Sequence, residues 1–257
     1  MKNWIIALPL SLVAMPLTAQ NPDVRPDEFV PDMDVVNPQA WVDSALIGIH
    51  PVPGPETVNP NSKWETLTEE DYRQVADELG IEPAAIKAVV EIEAGVAHKG
   101  FWAPGKPIIN FDLSMYRRAA KKYGVSLSAA QRSHPVIFAR PNIRKYGSQQ
   151  AGQQARLDAA KSINSAAAIE GTFWGMFQIG GFNWKPMGYA SPQEFEAEMC
   201  KSERSQLEMF ARFIEHFGMV DDLRKKNWLG FALKYNGASA RARGYHTRMA
   251  RAYNKYK

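Results

Sequence analysis

Cysteine is almost absent from this 257-residue chain, with Cys200 standing alone. One thiol makes no internal cross-link, so stability has to come from packing rather than from a disulfide framework. Long hydrophobic runs are missing too. The most apolar stretch, Trp4 to Leu17, is broken by Pro9 and Pro16 and is short of the roughly 20 apolar residues that a membrane span takes. The five histidines (His50, His98, His134, His216 and His246) are scattered. No two share the i, i+4 spacing of a zinc helix and none has a partner cysteine, so neither a metal nor another cofactor is expected. The Gly180-Gly181-Phe182 segment lacks the lysine and hydroxyl of a phosphate loop. Cys200 sits in a helical pattern between Met199 and Lys201, without the surroundings of a nucleophile, and reads as a small apolar filler.

What is present, 45% hydrophobic and 23% charged residues, fits a globular domain rather than a disordered chain. Lys2, the apolar stretch and then Thr18-Ala19-Gln20 have the layout of a secretory signal peptide, predicted to span residues 1–19. A retained N-terminal anchor is the alternative. An exported protein, periplasmic or extracellular and without stable membrane insertion, is expected. Residues 20–63 are rich in Pro, Asp and Asn, including Pro51, Pro53 and Pro55, and read as an extended arm or linker. The folded domain is expected over residues 64–257, as a monomer.

Charge is unevenly spread. The net charge is +4, yet the segment from Gln20 to Tyr72 is strongly acidic, while Lys201 to Lys257 holds thirteen Lys and Arg against five Asp and Glu. A basic surface concentrates polyanions. Bacterial walls and nucleic acids both qualify, and export favours the wall over nucleic acid; a solvated helix face is the competing reading.

Helical patterns dominate the domain. Thr66 with Glu69 resembles a capping box ahead of a first helix that Gly80 ends, and a second helix runs from Pro83 to Gly95. Further helices are predicted over 113–123, 151–169, 192–217, 220–227, 228–235 and 240–256. Strand signals are few: Pro107 to Phe111, and Val136 to Ala139. The class is mainly α with few short strands.

One helix holds a residue out of place. At about 100° per residue, Ile86, Val89, Val90 and Glu93 share an apolar stripe, so a carboxylate stands where a Leu belongs. Glu91 falls about 160° away and is expected to reach solvent beside Lys87. Burying a carboxylate costs several kcal/mol without compensation and raises its pKa, which makes a proton donor near neutral pH. Pairing with an arginine or capping a neighbouring helix would be the structural alternatives.

The segment AIKAVVEIEAG resembles the helix of the N-acetylmuramidase family found in many phage endolysins, in which a Val-rich run leads to Glu-x-Glu-Ser and the second glutamate is catalytic. That position is Glu93 here. Residues 172–184, TFWGMFQIGGFNW, resemble the family's Trp-Gly-x-Phe-Gln-Ile-x-Gly-Phe-Asn element, and KYNG at 234–237, followed by Tyr245, resembles its Tyr-Asn-Gly element. The likeness spans about Leu67 to Tyr256 and extends, more distantly, to goose-type lysozymes and soluble lytic transglycosylases. It implies a lysozyme-like α-helical domain that cuts the β-1,4 bond between N-acetylmuramic acid and N-acetylglucosamine. It also implies glycan contacts from Gln178, Tyr235, Asn236, Trp174 and Phe177. Two departures stand out. Ala94 replaces the usual Ser, and Phe111-Asp112 replaces Phe-Glu.

A glycosidase of this kind needs a second carboxylate, about 5 Å away for retention and farther for inversion. Glu91, Asp112 and Glu170 are candidates. Asp112 ranks first, because Glu91 points off the stripe. A lytic transglycosylase needs no water-activating acid and would leave anhydro-muramic ends. A non-catalytic peptidoglycan-binding module, gripping glycan with Trp174, Trp184, Tyr235 and the basic tail, is the reading from a different class.

Overall fold

The computed structural model describes residues 66–95, 98–139 and 150–257. The predicted signal peptide (1–19) and the Pro-rich arm (20–63) lie outside the described residues. The chain starts with α1 (Glu69–Leu79) and α2 (Pro83–Ala94), then a two-stranded hairpin of β1 (Phe101–Ala103) and β2 (Lys106–Pro107), then β3 (Ile109–Phe111) and α3 (Leu113–Lys122). Two single turns follow, α4 (Ala130–Ser133) and α5 (Pro135–Phe138), and then α6 (Gln150–Ile163), α7 (Ser165–Glu170), β4 (Thr172–Trp174) and β5 (Ile179–Gly180). The remainder is helical: α8 (Pro192–Met199), α9 (Glu203–His216), α10 (Val220–Arg224), α11 (Trp228–Asn236) and α12 (Tyr245–Tyr256). The fold is mainly α, with β3, β4 and β5 forming one small antiparallel sheet.

Local chemistry sets most boundaries. Helix α1 is capped by Thr68 rather than Thr66: Asp71 N donates to Thr68 Oγ1 at 3.2 Å, and Thr68 N donates to Asp71 Oδ2 at 2.7 Å. The reciprocal pair is two residues later than the sequence pattern suggested, because a short carboxylate at the third helical position closes the box as well as a Glu does. The predicted 151–169 helix breaks at Asn164, whose Oδ1 accepts from Ala167 N and starts α7. The predicted 192–217 helix breaks at Ser202, which caps α9 through Ser205 N. In both places a side-chain oxygen out-competes the helical backbone for a nearby amide. Val136 to Ala139 is not a strand. Pro135 supplies the pre-set first residue of a helical turn there, and α5 results. The last helix begins at Tyr245 rather than Ala240, after Gly244 takes a left-handed φ of 70°.

The apolar stripe of α2 lies at the centre: Ile86, Val89 and Val90 have no exposure. Helix α12 packs along α2 through Tyr245, Met249, Ala252 and Tyr253, so the C-terminal segment closes over the same helix that carries Glu93. Opposite, the turn between β4 and β5 is fastened from α9. Gln206, fully buried, accepts from Met176 N at 2.8 Å and donates to Met199 O at 3.0 Å and Gly100 O at 3.3 Å. Gly175 is obligatory in that turn. Its φ is 71°, and a Cβ there would fall 2.8 Å from the Gln206 amide carbon.

Because Gly100 O also accepts from Ile108 N, Gln206→Leu leaves two of these buried groups, Met176 N and Met199 O, without the amide at similar volume. The substitution is expected to destabilise the domain by about 3 kcal/mol, lowering Tm by roughly 6–12 °C. Thermal unfolding followed by circular dichroism measures this, and an unchanged Tm would show that the turn is held by other contacts.

Candidate active site

Glu93 sits in the last turn of α2, which ends because Gly95 adopts φ 76°. Its side chain is 7% exposed, inside the fold rather than in bulk water. Asn236, the final residue of α11, donates from Nδ2 to Glu93 Oε1 at 2.9 Å. The other oxygen, Oε2, is buried and has no hydrogen-bond partner, and Asn236 Oδ1 likewise has none. Burial pushes the carboxyl up to about 8, against the Asn236 hydrogen bond and the Arg248 charge, both of which favour the ionised form. Desolvation wins, and the neutral acid is the prevailing form at pH 7.

Three more elements close around this carboxyl. Tyr235, half-buried, precedes Asn236 and donates its hydroxyl to Phe177 O at 2.6 Å, which ties α11 to the β4–β5 turn. Its phenol is held well above the ordinary value by burial and then by the Glu93 charge, which places the two side chains in one electrostatic neighbourhood. Tyr245 at the start of α12 is buried and pushed up to about 12 by burial and then by Glu93. Arg248, one turn on, lies over the Tyr245 ring at 4.8 Å. Gln178 follows Phe177 in the turn. It is buried, donates from Nε2 to Gly175 O at 2.8 Å, and takes a left-handed φ of 48° that a side-chain-bearing residue rarely adopts.

The structure thus gathers Glu93, Asn236 and Tyr235, with Gln178 adjoining through the Phe177 carbonyl. Other expectations need correction. Trp174 and Phe177 are each 1% exposed and do not offer a face to a ligand. Trp174 Nε1 donates to Ile169 O at 3.1 Å, and Phe177 stacks on Phe210 with ring centroids 4.2 Å apart. They hold the turn from inside the core, as large aromatic area in a sheet covered on both faces is prone to do. Glu91 is partly exposed, as expected, but not beside Lys87. Lys255 Nζ lies 2.7 Å from it, and the Tyr256 hydroxyl donates to it, while Lys87 pairs with Glu69. Glu170, 3% exposed, is fully employed: Lys122 Nζ, Tyr123 OH and Trp184 Nε1 all donate to its Oε1 at 2.7 Å. Asp112 caps α3 through Oδ1, which accepts from Met115 N at 2.8 Å, and its charge acts on the buried Arg156 guanidinium.

Arg248 escaped the sequence reading. The only available signal was its i+3 spacing from Tyr245 on the last helix, which is indistinguishable from that of any surface arginine. Among the described residues no group of three or more His, Cys, Asp or Glu is placed to hold a metal, and no helix is long and apolar enough to cross a membrane.

The buried acid makes stability depend on pH in a direction opposite to that of a salt-bridged carboxylate. Glu93 binds its proton more tightly in the folded chain (about 8) than its ordinary value near 4.5. The contribution is therefore fully present below about pH 4.5 and is lost as pH rises through 8. Glu93→Gln, neutral throughout, is expected to flatten the profile between pH 5 and 9 and to exceed the wild type in stability at pH 9 by a few kcal/mol. Urea unfolding at several pH values measures the difference, and a gap independent of pH would refute a raised pKa.

The family model for N-acetylmuramidase matches residues 82–257, a span that includes Glu93, Gln178, Asn236 and Arg248. Among solved structures the chain is similar to the crystal structure of the Burkholderia AP3 phage endolysin, with 35% identity and a TM-score of 0.61 over 74% of this chain and 71% of that one. Among curated proteins none matches. With its match covering more than half of the sequence and the whole of the gathered site, the chain belongs to the N-acetylmuramidase family.

Proposed function

We propose that this protein cleaves the glycan strands of peptidoglycan at the β-1,4 bond between N-acetylmuramic acid and N-acetylglucosamine, with Glu93 as the general acid. The observation that carries the reading is the unequal state of the two Glu93 oxygens. Asn236 holds Oε1, and Oε2 is buried without a partner. Oε2 makes no hydrogen bond within the protein, so a proton carried there is available to a leaving glycosidic oxygen that enters the site. With a pKa near 8, Glu93 keeps that proton at neutral pH yet can release it, which is the balance a general acid requires. Once it has given the proton away, the carboxylate is stabilised by the Asn236 hydrogen bond and by the positive charge of Arg248. Half-buried Tyr235 then faces the strand from one wall and Gln178, fixed in its turn, from another, while Asn236, 3% exposed, stands behind the acid and holds its Oε1.

Asp112 is the second carboxylate in this proposal. One of its oxygens caps α3, leaving Oδ2 to act on water or on the sugar. The resemblance to the phage endolysin and the signal-like N-terminus support an exported protein acting on a wall.

Glu93→Gln is expected to lower muropeptide release from purified sacculi by a factor of about 10²–10⁴, the usual worth of general acid catalysis, while sedimentation with the walls persists. Lysis at the wild-type rate would remove Glu93 from the mechanism. Asp112→Asn keeps the helix cap, because Asn caps as well as Asp does, and so isolates the charge. A loss above roughly 100-fold with reducing muramic ends in the wild-type products fits hydrolysis. Anhydro-muramic ends, with Asp112→Asn fully active, would replace it by lytic transglycosylation.

A further inference from the structure

The segment that closes the site carries cations and no acid at all. From Gly237 to Lys257 it contains Arg241, Arg243, Arg248, Arg251, Lys255 and Lys257, and no Asp or Glu. On a helix of 3.6 residues per turn, Arg248, Arg251 and Lys255 fall within an arc of about 60° and form one row along α12. Both ends of the row meet the C-terminal end of α2. Arg248 acts electrostatically on Glu93, and Lys255 Nζ is 2.7 Å from Glu91 Oε2. Arg251 lies between them and is exposed, as is Arg241 just after the 3₁₀ turn Ala238–Ala240. Neither Arg241 nor Arg251 has an ion-pair partner among the described residues.

The chemistry of the acid accounts for Arg248, whose charge steadies the carboxylate once the proton has left, and Lys255 is paired with Glu91, but neither role extends to Arg241 or Arg251. Two exposed guanidiniums without an ion-pair partner, on the segment that packs over the helix of Glu93, point to an anionic ligand. Resting on the muramidase reading above, we infer that the row is a docking surface for the carboxylates of the peptide stems, so that the preferred substrate is glycan carrying anionic stems. The stems branch from the muramic residues, so each bond to be cut brings its carboxylates within the roughly 8–10 Å over which exposed charges still attract at physiological salt. Arginine suits the task, since its planar fork meets a carboxylate through two parallel hydrogen bonds.

The test uses purified sacculi in two forms, native and with the stem carboxylates converted to neutral amides by carbodiimide coupling, and compares the wild type with an Arg241→Gln/Arg251→Gln double variant. At low ionic strength the wild type is expected to release muropeptides about fivefold faster from native than from amidated walls, the ratio falling towards one in about 0.5 M salt. The double variant should cut both forms at the rate of the wild type on amidated walls. A wild-type ratio near one, a variant that keeps the wild-type ratio, or a variant slowed equally on both forms would overturn the inference. Absence of release from both forms by the wild type would overturn the muramidase reading itself.

Discussion

A carboxyl group that has lost its water on both oxygens, but has regained a protein partner on only one, is the constraint on which this structure turns. Asn236 restores a hydrogen bond to Glu93 Oε1, and nothing restores one to Oε2. In so dry a place the charged form is unfavourable and the neutral form keeps its proton. A fold usually avoids such a group, since leaving a buried polar atom unpaired costs about 1–3 kcal/mol. Here the cost is concentrated at the point where α2, α11 and α12 meet, and the rest of the architecture serves to keep that meeting point in place.

The holding contacts form a connected chain. Gln206 from α9 fixes the turn after β4, Phe177 in that turn stacks on Phe210, and the Phe177 carbonyl takes the Tyr235 hydroxyl. Tyr235 in turn fixes the end of α11, from which Asn236 reaches Glu93. A strained Gln178 is tolerated in the middle of this because the turn is fastened from both sides. Helix α12 then lies along α2 and brings Tyr245 and Arg248 to the same carboxyl. The aromatic residues of the TFWGMF segment thus act as framework.

How much of this could be read from residues alone depends on the range of the interaction involved. Glu93 was legible because helical periodicity is local: a carboxylate in phase with Ile86, Val89 and Val90 has to be buried whatever packs against it. Mainly helical architecture was legible for the same reason. The breaks at Asn164 and Ser202 were not, because a cap and a mid-helix polar residue have the same composition until the backbone chooses between them. The turn at Pro135 looked like a strand because four residues, Val-Ile-Phe among them, are too few to separate a period of 2 from one of 3.6. Trp174 and Phe177 were assigned to the ligand and belong to the core, since aromatic side chains serve either purpose and only long-range packing decides. Asn236 lies 143 positions from the Glu93 it hydrogen-bonds, and Arg248, which acts on Glu93 by its charge, lies farther still along the chain, beyond the reach of any spacing rule. Asn236 was found through a motif, and Arg248 had none.

Direct observation of the Glu93 proton tests the account most closely. Infrared difference spectra between the wild type and Glu93→Gln, recorded across pH 4 to 10, isolate the carbonyl stretch of the protonated side chain. A band from a neutral carboxylic acid that persists at pH 7 and disappears with a midpoint near 8 is the result expected from its burial. A band already lost by pH 5, titrating near 4.5, would mean that Glu93 is ionised in the folded protein and has no proton to give.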